Sequence, residues 1–481
     1  MNRLRTKRLV LALVIGVLAV PLFAQNGPDY AQRRQRLMAQ LEAGSVAIIR
    51  NHQPAHRSND GDYFPFRSNS DFFYLTGSEE PGSTLVLTPG GRFPVALFVK
   101  PENARTIQWF GEVPGVKGAM ETLGADTAFA VADFDRLLLG LVSTKSKVYF
   151  EWEDEELFDQ VRSAMKNGHR SEPRQFMDIT PLIHEMRVIK DDWEVAQIRH
   201  SVDILCEAHR EAMRVLQPDM AEHEINAVFS YILEKRGSKS KSFESIVASG
   251  PNASVYHYSG LDRVARSGEL VMIDMGAEYG NYASDVTRVL PVDGRFSPEQ
   301  KAVYDIVLKM ENAMIDHLKP GNRFQDAINK ALDIARAGCF ELGLTLDKDS
   351  PWQYLLYVYP YIAHGMGLDV HDVGNYGSFR DGGRVLEPNM VFAVEPLIYV
   401  GENLVDAFRM DVRRQFNLTD EEVDAFLTQI KPVFDRYVGV AIRIEDDVLI
   451  TENGNEVLSA QLPRTAEAIE KAMKEKSRLP R

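Results

Sequence analysis

Val271-Met-Ile-Asp274-Met-Gly276 and Tyr282-Ala-Ser-Asp285-Val-Thr287 each set one carboxylate inside an apolar, strand-like run. Between them lies Glu278-Tyr-Gly-Asn281, a turn-like tetrad that reads the pair as a β-hairpin. A turn centred on Tyr279-Gly280 places Asp274 opposite Asp285, with Cβ atoms about 5 Å apart. Two carboxylates that close repel, and an apolar strand is a costly place for either charge. A divalent cation between them removes the conflict; two exposed acids on a sheet edge is the plainer alternative.

Further along, three segments repeat the pattern. His364-Gly-Met-Gly-Leu-Asp-Val-His371 sets two imidazoles around a glycine-rich bend, where backbone can pass close to a ligand. Met390-Val-Phe-Ala-Val-Glu395-Pro396 buries a glutamate in an apolar run. In Val440-Ala-Ile-Arg443-Ile-Glu445, period two puts Arg443 and Glu445 on one face. Asp274, Asp285, His364, Glu395 and Glu445 together are four carboxylates and one imidazole. This hard, oxygen-rich set suits Mn²⁺ or another divalent first-row ion better than a structural zinc. Five ligands exceed what one metal with an open position needs, so two ions fit. Such a pair suits hydrolysis: it activates a bridging water and polarises a carbonyl, while a nearby carboxylate moves the proton.

The chain has 481 residues, more than one domain commonly holds, and its 44% apolar and 26% charged content is globular rather than disordered or fibrous. Alternating strand-like runs (46–49, 72–75, 84–87, 95–99) and helical stretches (30–43, 120–142, 155–166) indicate an N-terminal α/β domain over 28–175, with the polar stretch 166–174 as its boundary. The second domain, 180–465, opens on a long helix with Trp193, Val195, Ile198, Val202 and Leu205 at helical spacing. Ser297-Pro298 with Gln300 marks a capped helix start. Blocks of helices and paired strands make the whole chain α+β.

Residues 1–24 read as an export signal: basic Arg3 to Arg8, an apolar run of about a dozen residues, then Ala24 before a cut. Export to a periplasm or beyond follows, with no stable membrane insertion after cleavage. The net charge is −14, and it becomes more negative once the basic leader is removed, which disfavours nucleic acid as a partner. Cys206 and Cys339 lie in helix-like apolar patterns and read as buried, unpaired thiols.

At these residues the sequence resembles the pita-bread metallopeptidases, the fold of methionine aminopeptidase and creatinase, and within them aminopeptidase P. The resemblance rests on Ile273-Asp-Met-Gly276, Asp285-Val-Thr-Arg288, Gly367-Leu-Asp-Val-His-Asp-Val-Gly374, Leu386-Glu-Pro388, Val394-Glu-Pro396 and Ile442-Arg-Ile-Glu-Asp-Asp447. Arg67 to Gly77 and Trp109-Phe-Gly111 match that family's N-terminal domain, and Ile183-His-Glu-Met-Arg187 matches the link between domains.

The resemblance implies a pita-bread catalytic domain and release of an N-terminal residue that precedes proline. It implies Asp274, Asp285, His364, Glu395 and Glu445 as metal ligands, with Asp285 and Glu445 shared by two ions. Glu395 is then the proton shuttle. His257 and His371 hold the substrate carbonyl, Arg443 orients the carboxylates, and Tyr399 supports the centre. Mn²⁺, proline-containing peptides and a homo-oligomer are the expected cofactor, substrates and partner. A prolidase with the same centre, or an inactive binding protein on this fold, is the alternative. Two departures stand out: Pro360 replaces a histidine common in bacterial members, and 401–437 is an insertion with a helix-like, acidic stretch from Leu418 to Phe434. It either covers the cleft or decorates the surface.

Overall fold

The computed structural model describes residues 27–59, 61–166, 175–377 and 382–479. The export signal at 1–24 lies outside them, as do residues 167–174 of the domain boundary.

The first domain is built on a six-stranded mixed sheet. Its order is Thr127–Ala130, Val95–Val99, Thr84–Leu87, Val46–Arg50, Lys147–Phe150, Gln175–Asp178. Alternation along the strands serves two cores. Val46, Ile48, Val86, Phe98 and Val148 face the helices Phe134–Val142 and Glu155–Lys166. Ala47, Ile49, Leu85, Leu97 and Tyr149 join a second core that runs on into the C-terminal domain.

Two local readings are corrected. Phe72-Phe73-Tyr74-Leu75 is not a strand but part of the helix Ser70–Thr76. Every residue from Asp71 to Thr76 is buried, so no face carries a polar stripe and periodicity has nothing to report. The deciding signals are local: Asn69 accepts from Phe72 N as the N-cap, and Gly77 closes the helix at φ 68°. Within 120–142, a strand, Thr127–Ala130, interrupts the helical reading and pairs in parallel with Val95–Val99.

In the C-terminal domain one order occurs twice. The helices Asp192–Val215 and Glu222–Lys235 precede three antiparallel strands, Ile246–Ser249, Leu270–Met275 and Val286–Pro291. The helices Pro298–His317 and Phe324–Glu341 precede Ala363–Gly365, Val391–Val394 and Asp446–Thr451. The predicted cap holds: Ser297 Oγ accepts from Gln300 N at 3.2 Å, and Gln300 Oε1 accepts from Ser297 N at 2.8 Å. The insertion forms the helices Val405–Phe416 and Asp420–Tyr437. Cys206 and Cys339 are buried, free thiols. Among the described residues no helix is long and apolar enough to cross a membrane.

His209, on the helix Asp192–Val215, is buried with Nε2 on the Val286 carbonyl at 2.9 Å. Burial, and then the Arg288 charge, hold its imidazole neutral, pushing its pKa down to about 3. The folded value lies below the ordinary 6.5, so this group's contribution is present above pH 6.5 and lost as pH falls toward 3. Gln can keep the donor without the basic ring. We expect His209→Gln to lose less melting temperature than the wild type between pH 7 and pH 4.5; equal losses would exclude His209 as a source of acid lability.

Candidate metal centre

The five predicted ligands sit where strands end or break. Asp274 is the last residue but one of the strand Leu270–Met275, and Asp285 lies in the gap between Tyr282–Ala283 and Val286–Pro291. His364 is central in Ala363–Gly365, Glu395 follows Val391–Val394, and Glu445 lies between Ala441–Arg443 and Asp446–Thr451. Pairing of Val394 with Asp446 and of His364 with Ala393 brings the last three together. Glu445 N donates to the Thr287 carbonyl at 3.2 Å, joining the two strand sets at the centre.

The hairpin register corrects the expected pairing. Asp274 is opposite Thr287, not Asp285. The turn centres on Gly280-Asn281, with φ of 59° and 66°, the left-handed pair that a tight two-residue hairpin turn needs. This moves the register by two residues, so Asp285 becomes the diagonal neighbour of Asp274. A shift of two preserves the face, and the two carboxylates still converge.

Asp285, His364 and Glu445 offer ligand atoms within 4.8 Å of one another. His364 Nε2 lies 3.6 Å from Asp285 Oδ2, 3.7 Å from Glu395 Oε1 and 4.0 Å from Glu445 Oε1. Its Nδ1 is 3.1 Å from the Gly365 carbonyl, a contact that places the proton on Nδ1 and leaves the Nε2 lone pair facing the carboxylates. Asp274 is ion-paired with Arg443, whose Nη1 lies 3.6 Å from Glu395 Oε2. Arg443 and Glu445 are both buried, so the face they share is turned inward.

Burial and then the neighbouring Glu445 and Asp274 charges hold Asp285 far above the ordinary carboxylate range. Glu445 is raised in the same way by burial, Glu395 and Asp274. Glu395 is raised by burial, against the opposing pull of His364 and Arg443. Asp274 Oδ1 and Asp285 Oδ1 are buried without a hydrogen-bond partner. Orphaned carboxylate oxygens converging on an imidazole lone pair are what a divalent cation satisfies, so the residues fit a metal.

The surroundings hold residues that sequence reading missed. Thr287 Oγ1 donates to Glu445 Oε2 at 2.6 Å, and Asp447 Oδ2 accepts from Asp285 N at 3.1 Å. Strand alternation places Thr287 on the Asp285 face, the only sequence signal for it. Thr287→Val keeps the shape and removes the donor; we expect metal affinity to fall about tenfold, read by titration of the metal-free protein. Unchanged affinity would remove Thr287 from the centre.

His371 packs its ring 4.2 Å from that of His364. Partial burial, and then the neighbouring His364 and His257, push its imidazole down to about 4. The flanking Asp369 and Asp372 are anchored by Arg187 at 2.7 and 2.5 Å, and Lys190 adds a 2.9 Å bond to Asp372. Arg187 also binds Asp71 at 2.6 Å, so the N-terminal domain grips the loop that carries His371. His257 is exposed at the other side. Its neighbour Tyr258 donates to buried Glu222 at 2.8 Å, and Glu222 also accepts from Ser249 N and Arg263 N. Tyr399 is buried, with its hydroxyl 3.4 Å from Met272 Sδ.

This fold and this centre define a two-domain metallopeptidase. Residues 196–452 match metallopeptidase family M24, and residues 30–149 match the aminopeptidase P N-terminal domain. The Xaa-Pro aminopeptidase of Escherichia coli (strain K12) is 33% identical over 458 residues, covering 92% of this chain and 97% of that one. Among solved structures, Pseudomonas aeruginosa aminopeptidase PepP superposes with a TM-score of 0.80 at 35% identity, covering 92% and 97%. Aminopeptidase P from E. coli with the inhibitor Pro-Leu gives 0.81 at 32%, with the same coverage. The chain belongs to metallopeptidase family M24 and, within it, groups with the Xaa-Pro aminopeptidases; it is a hydrolase.

Proposed function

We propose that this chain releases the N-terminal residue from peptides whose second residue is proline, using two divalent ions, most suitably Mn²⁺, held by Asp274, Asp285, His364, Glu395 and Glu445. The observation that carries this reading is the convergence of Asp285, Glu395 and Glu445 on His364 Nε2, with buried oxygens of Asp274 and Asp285 left unpartnered. The likeness to Xaa-Pro aminopeptidases supports the substrate class. Four of the five donors are carboxylates, which favours Mn²⁺ over softer-ligand metals.

When bound, divalent ions there lower the pKa of water and polarise a carbonyl. Asp285 and Glu445 would be the ligands that hold both ions. Glu395, raised and facing His364, takes a proton from the attacking water and delivers it to the leaving proline nitrogen. The water thus supplies both the hydroxyl that bonds the carbonyl carbon and, through Glu395, the proton that the leaving nitrogen needs as the C–N bond breaks. His257 and His371 sit at the exposed rim, where their N–H groups can hold the substrate carbonyl as it gains charge. Arg443 pairs with Asp274 and fixes its orientation.

The leader at 1–24 supports export to the periplasm or beyond, tested by the N-terminus of the protein recovered from that compartment. Exposed Trp109 and Phe110 on the N-terminal domain support self-association, tested by light scattering of Trp109→Ser.

The activity is tested with the chain from residue 25, with Mn²⁺ or EDTA, on Arg-Pro-Pro, Ala-Pro and Arg-Ala-Ala. Metal-dependent release of Arg from Arg-Pro-Pro alone is expected. Cleavage confined to Ala-Pro makes the protein a prolidase. No metal-dependent cleavage of any of the three overturns the reading and returns the inactive binding protein.

A further inference from the structure

Glu222 opens the helix Glu222–Lys235 and is fully buried. Five donors meet its carboxylate. Oε1 accepts from Ser249 N at 2.7 Å, from Ser249 Oγ at 2.8 Å and from Asn252 Nδ2 at 3.1 Å. Oε2 accepts from the Tyr258 hydroxyl at 2.8 Å and from Arg263 N at 3.0 Å. A carboxylate offers about four lone-pair directions, so the group is saturated. The donors stand on both sides of His257. One side chain therefore gathers the whole segment from the end of the strand Ile246–Ser249 to Arg263. Glu222 N adds a bond to the Arg263 carbonyl at 2.9 Å.

A second set of contacts ties this loop to the segment that follows Glu395. The Tyr256 ring lies 5.4 Å from that of buried Tyr399. Asn403 Nδ2 donates to the Ser254 carbonyl at 3.2 Å. A Cβ at Gly401 would come within 2.6 Å of Ser254 Oγ, so only glycine lets the two segments lie this close. Gly401 and Asn403 belong to the insertion, which thus braces the loop, a role apart from cover or decoration. His257 lies between the two anchors, directly after Tyr256 and before Tyr258. Its charge pulls down both the Glu395 carboxyl and the His371 imidazole, which places it beside them.

We propose that Glu222 is a positioning residue that acts through Tyr258 to fix His257 where it meets the substrate carbonyl. The inference rests on the aminopeptidase reading, in which His257 holds that carbonyl. An exposed imidazole on an irregular loop has many places to be, and a buried carboxylate tied to its neighbour leaves it few. An N–H donor serves the developing charge only when it is held in place before the reaction. A displacement of about 1 Å can cost about 10²-fold in rate.

The test is a double-mutant cycle on Arg-Pro-Pro with the Mn²⁺-loaded mature chain. Tyr258→Phe removes the hydroxyl that reaches Glu222 and keeps the ring. Glu222→Gln leaves one oxygen for two sets of donors. We expect kcat to fall about tenfold in Tyr258→Phe and about 10²-fold in Glu222→Gln, with KM changed less. His257→Ala removes the donor itself and should cost about 10²–10³ in kcat, which leaves turnover to measure. In that background Tyr258→Phe should cost less than about twofold, because the group it positions is gone. A merely structural tie would cost the same with or without His257. Equal losses in the two backgrounds, an unaltered kcat in Tyr258→Phe, or full activity in His257→Ala each overturns the positioning role. If Glu222→Gln does not fold, Tyr258→Phe carries the cycle alone. No turnover by the wild type overturns the aminopeptidase reading itself, which separates the two failures.

Discussion

Replacing Glu395 with glutamine leaves a folded protein whose turnover of Arg-Pro-Pro falls about 10²–10⁴-fold. The side chain keeps its shape and one oxygen, so the strand Val391–Val394 and its pairing with Asp446–Thr451 are undisturbed. The proton-carrying oxygen is what is lost. Glu395 is suited to that task because burial raises its pKa while His364 and Arg443 pull it back. A carboxyl raised above the ordinary carboxylate range is a better proton acceptor than a free one. The effect should fall on kcat more than KM. The check is steady-state kinetics beside a melting curve. Wild-type turnover in a normally folded variant would remove the shuttle assignment and leave His257 or His371 as the remaining candidates.

Asp285→Ala has the other large effect, on metal as well as activity. Asp285 is buried beside Glu445 and His364, and the proposed function makes it a ligand shared by two ions. Its removal should weaken metal binding by more than the roughly 10–100-fold typical of a supporting residue. Metal content after dialysis, measured by elemental analysis, should drop from the wild-type value together with activity; unchanged content would refute the shared-ligand role. The metal-free state responds in the opposite direction. There Asp285 is a buried carboxylate among Glu445, Asp274, Asp447 and Glu395, with one oxygen unpartnered. Asp285→Asn removes that conflict, so the EDTA-treated variant should melt above the EDTA-treated wild type, by about 1 °C per kcal/mol relieved. Wild-type protein should itself melt lower in EDTA than in Mn²⁺, because ions that bind only the folded state stabilise it by mass action.

The buried acids that the structure gathers near one another stood out in the sequence because they break a rule. Asp274, Asp285, Glu395 and Glu445 stand in apolar strand-like runs, where a charge must find a partner, and that contradiction is visible one residue at a time. The Ser297 cap was legible for a similar reason: Ser297, Pro298 and Gln300 act within one helical turn. The helix at Ser70–Thr76 was not, since residues buried on all sides show no period. The hairpin register turned on whether Tyr279-Gly280 or Gly280-Asn281 formed the turn, a choice between two adjacent dipeptides with similar composition. The face was still right because the error was two residues.

By itself the sequence determined which acids and histidines stand in apolar runs, their order along the chain, and the strands that carry most of them. Only the tertiary structure decided who their partners are. Thr287 on Glu445, Arg443 on Asp274, and Asp71 reaching through Arg187 to the His371 loop are contacts between residues 116 to 185 positions apart. No local pattern encodes them. They form because folding brings strand breaks from separate segments to one point, and a buried charge left there must be satisfied by whatever group arrives beside it.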